Sequence, residues 1–266
     1  MNFIRFQEVN KRYGGETVLE DFSIQVRKGE TKVILGGSGS GKSTILKMVL
    51  GLVKPDSGRI FVADRDITDL TEDELMPIRK EIGMVFQEGA LFDSLNVAEN
   101  VAYRLREDGG QPDDEIEAVV RQVLGFVELE EAINKMPSEL SGGMRRRVAI
   151  ARALVGEPRI LLYDEPTAGL DPITSRTICE LMIKLRDLQG VTSIFVTHDL
   201  KAALTMASEI ALSGPTEDQV IFQEESGSFC IVNTRFVILK DGKILFEGTD
   251  ESMRQAKDEY IQELLS

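Results

Sequence analysis

A lysine, hydroxyls, two adjacent carboxylates and a single histidine occur in this chain in settings suited to phosphate chemistry. Gly36-Gly37-Ser38-Gly39-Ser40-Gly41-Lys42-Ser43-Thr44 fits G-x-x-x-x-G-K-[ST]. In such a loop the small residues let backbone N–H groups wrap phosphate oxygens at a helix N-terminus. Lys42 is spaced to reach the β- and γ-phosphates of a nucleoside triphosphate. The Ser43 hydroxyl is placed to ligate Mg²⁺, and the N–H groups from Gly39 to Thr44 to hold the β-phosphate. A second Gly-rich stretch, Leu140-Ser141-Gly142-Gly143-Met144, opens a helical run to Leu154. Two such anion sites in one chain suggest one nucleotide gripped from two sides.

Triphosphate hydrolysis also needs a metal partner, an oriented water and compensation for developing charge. Asp164 follows an apolar strand, which places it at the carboxyl end where α/β proteins bind ligands. Glu165, next to it in Asp164-Glu165-Pro166-Thr167, is the candidate general base that polarises the attacking water. His198, the only histidine, follows another apolar strand ending at Val196.

These groups need a scaffold of strands that end together. Phe3 to Val26 alternates apolar and polar residues around Gly14-Gly15 and reads as antiparallel strands. Lys32 to Leu35 is a short buried strand, followed by the Gly loop and a helix from Ser43 to Leu50. Arg59 to Ala63 and Ile82 to Phe86 read as strands, the latter ending at Gln87. Helical periodicity with charged faces then runs from about 88 to 157. Ile160 to Tyr163 and Thr192 to Val196 are buried strands, and Ser175 to Leu188 and Leu200 to Ala207 are helices. Arg235 to Gly248 forms a hairpin around Asp241-Gly242. Between 209 and 234 the pattern predicts an extra hairpin of Gln219–Gln223 and Ser228–Val232, although Glu209 to Leu212 also reads as a strand. The whole of 1–266 is thus expected to be one α/β unit. Its core comprises about 1–87 and 158–266, with a helical subdomain at 88–157.

Composition narrows the partners. A formal net charge of -14 opposes a nucleic-acid-binding or lipid-coating surface, since both need a basic face. The chain shows neither an apolar run long enough for a bilayer nor a basic-then-apolar leader, so a soluble, cytosolic protein is expected. Cys179 and Cys230 match no metal spacing and read as small core residues in a reducing compartment. Arg145-Arg146-Arg147 on a helix point in different directions and form no nucleic-acid face. Asn134-Lys135-Met136-Pro137 lacks the carboxylate that guanine recognition requires.

Taken together, these motifs resemble those of ABC transporter ATPase subunits, from Tyr13 to Gly248. The resemblance implies a P-loop NTPase (RecA-like) α/β core with N-terminal antiparallel strands and an inserted helical subdomain, binding ATP with Mg²⁺. It assigns Asp164 to the Walker B position beside the metal, and gives His198 the switch role at the γ-phosphate. Gln87 becomes the residue that senses Mg²⁺ and links core to helical subdomain, and Tyr13 the aromatic that stacks on adenine. Ser141, Gly142 and Gly143 would meet ATP held by a second copy of the chain, with Gly169-Leu170-Asp171 crossing the same interface. An ATP-sandwich dimer is the implied partner state.

Gly89 to Leu95, Asn96 to Tyr103, LSGGM in place of LSGGQ, and Leu162 to Thr174 resemble the ATPases of Mla/Mce-type phospholipid transporters. That resemblance implies an integral permease, an MCE-domain lipid-binding protein, a small STAS-domain partner in some systems, and a peripheral place on the cytoplasmic face of the inner membrane. Leu91, Phe92, Leu95 and Val101 are expected to form the groove that accepts a permease helix. The alternatives are the ATPase of a polar-solute importer, such as one for amino acids, and a soluble ABC ATPase acting on DNA or ribosomes.

Overall fold

Alternation from Phe3 to Val26 produces β1 (Asn2–Tyr13) and β2 (Glu16–Arg27), paired antiparallel. Gly14 (φ 54°) and Gly15 (φ 92°) supply the two left-handed positions that a two-residue hairpin turn requires. The computed structural model describes residues 2–213, 220–224 and 233–265. On the other edge of β1 lies β4 (Ser57–Val62), which turns back into β5 (Arg65–Asp66) to complete a four-stranded antiparallel sheet.

The second sheet carries the chemistry. Its order is β12-β11-β3-β8-β7-β6, built from β3 (Thr31–Gly36), β6 (Ile82–Val85), β7 (Ile160–Asp164), β8 (Thr192–Thr197), β11 (Thr234–Lys240) and β12 (Lys243–Gly248). All neighbours are parallel except β11 and β12, which form the hairpin expected around Asp241-Gly242. The parallel strands are buried on both faces, and their side chains divide with period two. Val33, Leu35, Leu161, Tyr163, Phe195, Phe236 and Ile238 join one hydrophobic cluster. Ile34, Ile160, Leu162, Ile194, Val196, Val237 and Leu239 join the other, with α1 (Lys42–Val49), α2 (Glu72–Arg79) and the antiparallel sheet.

The first of these clusters also holds α3 (Val97–Asp108), α4 (Asp113–Phe126) and α5 (Gly142–Leu154). The segment 88–157 therefore shares its core with one face of the sheet. Further along the chain, α6 (Pro172–Gln189) and α7 (Leu200–Ser208) flank β8, and α8 (Asp250–Arg254) and α9 (Glu259–Leu265) end the described chain. The sequence reading did not anticipate α2, α8 and α9. Thr71 and Glu74 do form a capping box at the start of α2, but Pro77 inside it argues against a helix.

One expectation is extended by the structure and another needs correction. β9 (Glu209–Ser213) pairs antiparallel with β10 (Val220–Glu224) in a separate two-stranded sheet. The strand expected over Gln219–Gln223 thus forms, but it is paired with β9, because Ala211 and Phe222 face the core beside α6. Ser228–Val232, its expected partner, lies outside the described residues, as does Cys230. Val101 is fully buried in the helical core and does not line a groove, whereas Phe92 is exposed. Among the described residues no helix is long and apolar enough to cross a membrane.

Candidate nucleotide site

The carboxyl ends of β3, β7 and β8 converge, and their loops bring five of the expected residues together. β3 runs into the Gly loop, whose last glycine, Gly41, has φ 97° and caps α1. A Cβ at Gly41 would lie 2.9 Å from the Val18 carbonyl oxygen, and one at Gly36 would lie 2.9 Å from the Leu239 carbonyl oxygen. Backbone therefore presses on the loop from behind, and glycine is required at both places. Lys42 is buried, and its Nζ donates to the carbonyl oxygens of Gly36 (2.8 Å) and Gly37 (3.0 Å). Its ammonium also lies 3.5 Å from Glu165 Oε1. The Ser40 hydroxyl is buried without a hydrogen-bond partner, leaving an unsatisfied polar atom inside the loop.

Ser43 donates from Oγ to Asp164 Oδ1 at 2.9 Å. Burial pushes the Asp164 carboxyl above the usual carboxylate range, aided by neighbouring Glu165 and opposed by the Ser43 hydrogen bond and by Lys47 and Lys42. A half-buried carboxylate held against a hydroxyl is a hard-oxygen pair. Mg²⁺ commonly takes one or two protein oxygens and completes its shell with substrate phosphates and water, so these residues fit it. No cluster of three or more acidic, histidine or cysteine ligands occurs among the described residues.

Glu165 is buried and adopts φ 49°, an uncommon backbone for a residue with a side chain. The conformation is held by its own N–H, which donates to Val196 O at 3.0 Å, and by its Oε2, which accepts from the His198 backbone N–H at 3.2 Å. The same Oε2 lies 2.9 Å from His198 Nδ1. The result is a carboxylate anchored from behind, flanked by an ammonium and an imidazole, at the mouth of the phosphate loop.

The other expected residues stand apart from this cluster. Tyr13 is 47% exposed at the end of β1, with Lys11 Nζ 5.3 Å from its ring centroid. Its open ring face is compatible with base stacking. Gln87 is exposed in the turn after β6, and no hydrogen bond joins it to Ser43 or Asp164 among the described residues. Ser141 caps α5 by accepting from Met144 N at 3.2 Å, and leaves the α5 N-terminus open. A Cβ on Gly143 would lie 2.3 Å from Thr174 Cγ2, so only glycine lets α5 approach α6 this closely. Asp171 caps α6, and its hydrogen bonds to Thr174 and Ile173 hold its carboxyl below the usual range. Ser141, Gly142 and Gly143 thus sit beside Asp171 and away from Lys42's loop, with no hydrogen bond between them and the catalytic cluster among the described residues.

A profile of the ABC transporter family matches residues 19–168. The chain belongs to the ABC transporter family. Its similarity to the intermembrane phospholipid transport ATP-binding protein MlaF of Haemophilus influenzae is 34% identity, covering 99% of this chain and 90% of that protein. It is 40% identical to the sulfate/thiosulfate import ATP-binding protein CysA of Xylella fastidiosa, over 79% of this chain but only 60% of that one. Among solved structures it resembles the dimeric ATP-binding cassette MJ0796 in a post-hydrolysis state bound to ADP and Pi. That match has a TM-score of 0.76 and 33% identity, and covers 93% of this chain and 98% of that one. As an ABC ATPase the chain hydrolyses ATP, with Mg²⁺ as its metal.

The arginines of α5 are what the sequence reading missed. Arg145, Arg146 and Arg147 do point in different directions, but each is spent on backbone carbonyls: Leu140 for Arg145, Phe86 and Ala168 for Arg146, Val127 and Glu128 for Arg147. No local sequence pattern marks this, because which carbonyls an arginine meets is set by packing.

Proposed function

We propose that this ATPase powers phospholipid transport between membranes, working as two copies that sandwich ATP beneath an integral permease served by an MCE-domain lipid-binding protein. A STAS-domain subunit fits the same assembly. The observation that carries this reading is similarity to a phospholipid-transport ATPase along 99% of the chain, the added β9–β10 region included. The dimeric state of the similar cassette supports the sandwich. Peripheral attachment through the permease at the cytoplasmic face of the inner membrane belongs to the same reading.

In the reaction, Lys42 leaves its loop carbonyls for the β- and γ-phosphates, and loop N–H groups from Gly39 to Thr44 hold the β-phosphate. Ser43 and Asp164, with Gln87, would hold Mg²⁺, which would supply neutralisation of phosphate charge. Glu165 accepts a proton from water as the water oxygen attacks the γ-phosphorus and the bond to the ADP oxygen breaks. His198 keeps Glu165 oriented and meets the γ-phosphate. Tyr13 stacks on adenine, and Ser141, Gly142 and Gly143 of the second copy close the site from the other side, with Asp171 at the same interface.

Phe92, 43% exposed and packed at a 37° tilt against Tyr103 with 4.6 Å between centroids, would line the permease groove together with half-buried Leu91 and Leu95. Phe92→Asp is expected to detach the permease while leaving the circular dichroism spectrum unchanged; an unfolded variant would instead make these residues purely structural. The substrate test is the intact complex in liposomes, which is expected to move phospholipid to or from an MCE-type partner with ATP, and to fail with Glu165→Gln. The higher identity to CysA over a shorter span favours a second reading, a polar-solute importer. Co-purification with a soluble solute-binding protein and no MCE protein would establish that alternative.

A further inference from the structure

Arg146 is buried, and its guanidinium spans two loops that leave different strands. Nη1 donates to Phe86 O at 3.2 Å, immediately before Gln87, and Nη2 donates to Ala168 O at 3.0 Å, three residues before Asp171. Nε has no partner. Burial pulls the guanidinium below its usual range, with Glu88 the charge that opposes this. A charged group buried largely against neutral carbonyls is a costly way to fill space, whereas a planar fork is well suited to holding two acceptors at a fixed separation.

Side-chain packing brings these loops near α5, with Leu91, Met144 and Leu170 against one core cluster, but Arg146 is the side chain whose hydrogen bonds reach both. Beside Arg146 lies a cleft of about 590 Å³ whose walls include Glu88, Leu91, Pro137, Gly142, Ala168 and Leu170. The loop after β6, the loop after β7 and the start of α5 therefore all contribute walls to this cleft. Arg152, further along α5, donates to Gly89 O and Ala90 O at 2.7 Å each. That second arginine straps the far end of the Gln87 loop to the same helix, but it does not reach the 167–171 loop.

We propose that Arg146 is a positioning residue that ties the Gln87 loop and the 167–171 loop to the helix opened by Ser141–Gly143, so that the three move as one body when the site closes. This rests on the roles given above to Gln87, Ser141 and Asp171. Rotation of α5 toward a partner's nucleotide then carries Gln87 and Asp171 with it, coupling metal engagement to closure of the interface. Lys42, Ser43 and Tyr13, which would bind ATP within one chain, make no contact with Arg146 in the structure, so nucleotide affinity of the isolated chain stands outside this link.

The test compares Arg146→Lys, which keeps the charge but reaches one carbonyl, with Arg152→Lys in the full chain. Amide exchange is read at Gly89, whose N–H donates to Phe86 O at 2.9 Å, and at Leu170, whose N–H donates to Thr167 O at 3.2 Å. Arg146→Lys is expected to accelerate both by tenfold or more, and Arg152→Lys only the first. Fluorescent ATP affinity should stay within twofold, while turnover in the intact transporter falls at least tenfold in Arg146→Lys. If Arg146→Lys does not fold, Arg146→Gln, which brings no charge into the site, is held to the same expectations. Acceleration at only one of the two amides, a parallel loss of nucleotide affinity, or unchanged turnover would each overturn the proposal. If turnover were retained while Gln87 and Asp171 proved dispensable, the failure would lie in their assigned roles; if both were essential, it would lie in the Arg146 link.

Discussion

Glu165→Gln separates chemistry from binding, because the amide is nearly isosteric but cannot take a proton. In the structure, Oε1 faces Lys42 Nζ at 3.5 Å, and Oε2 faces both the His198 N–H at 3.2 Å and His198 Nδ1 at 2.9 Å. A glutamine that keeps its oxygen toward Lys42 turns its NH₂ toward the His198 backbone, so one N–H loses its acceptor. That costs about 0.5–1.5 kcal/mol. For a chain of this size each kcal/mol lowers Tm by roughly 2–4 °C, so the variant should melt within about 6 °C of the parent. Loss of the base should slow turnover about 10²- to 10⁴-fold. The assay is steady-state ATP hydrolysis beside equilibrium ATP binding and size-exclusion elution with ATP and Mg²⁺, where binding persists and the dimer accumulates. Turnover within tenfold of the parent in a folded variant would show that Glu165 is not the base.

Asp164→Asn should raise the Tm of the nucleotide-free chain at neutral pH while abolishing Mg²⁺-dependent hydrolysis. Burial raises the Asp164 pKa above the usual carboxylate range in the folded state, so the protonated carboxyl favours folding at low pH and that contribution is lost as pH rises through the raised pKa; the advantage of asparagine should therefore shrink toward about pH 4, and a constant difference across a thermal-melt series would refute this. Gly41→Ala places a methyl 2.9 Å from Val18 O at φ 97°, which should cost about 1–3 kcal/mol. Gly37→Ala meets nothing within 4 Å at an unstrained backbone and should leave Tm unchanged, so equal melting of the two alanine variants would contradict the close-packed loop.

Local features of this chain were legible because neighbouring residues encode them together. Alternation and all-apolar runs set the strands, since side-chain direction repeats every two residues along a strand. The glycines before Lys42 set the phosphate loop, because only backbone without a Cβ can turn there at φ 97°. The Asp164-Glu165 pair after β7 was legible because a polar pair ending a buried strand must stand at the sheet's carboxyl edge. Tertiary structure decided which of these groups meet. Ser43 and Asp164 are 121 residues apart, and Glu165 and His198 are 33 apart; each pair is joined through the order of β3, β8 and β7 in the sheet, which no local pattern specifies. Packing likewise buried Val101, gave β10 the partner β9, and left Gln87 out of contact with the metal pair. Above all it turned Arg146, from a basic run, and Arg152, further along the same helix, into clamps on loop carbonyls. An arginine's partner is whichever acceptor the folded backbone leaves unpaired within reach, and that is a property of three-dimensional packing alone.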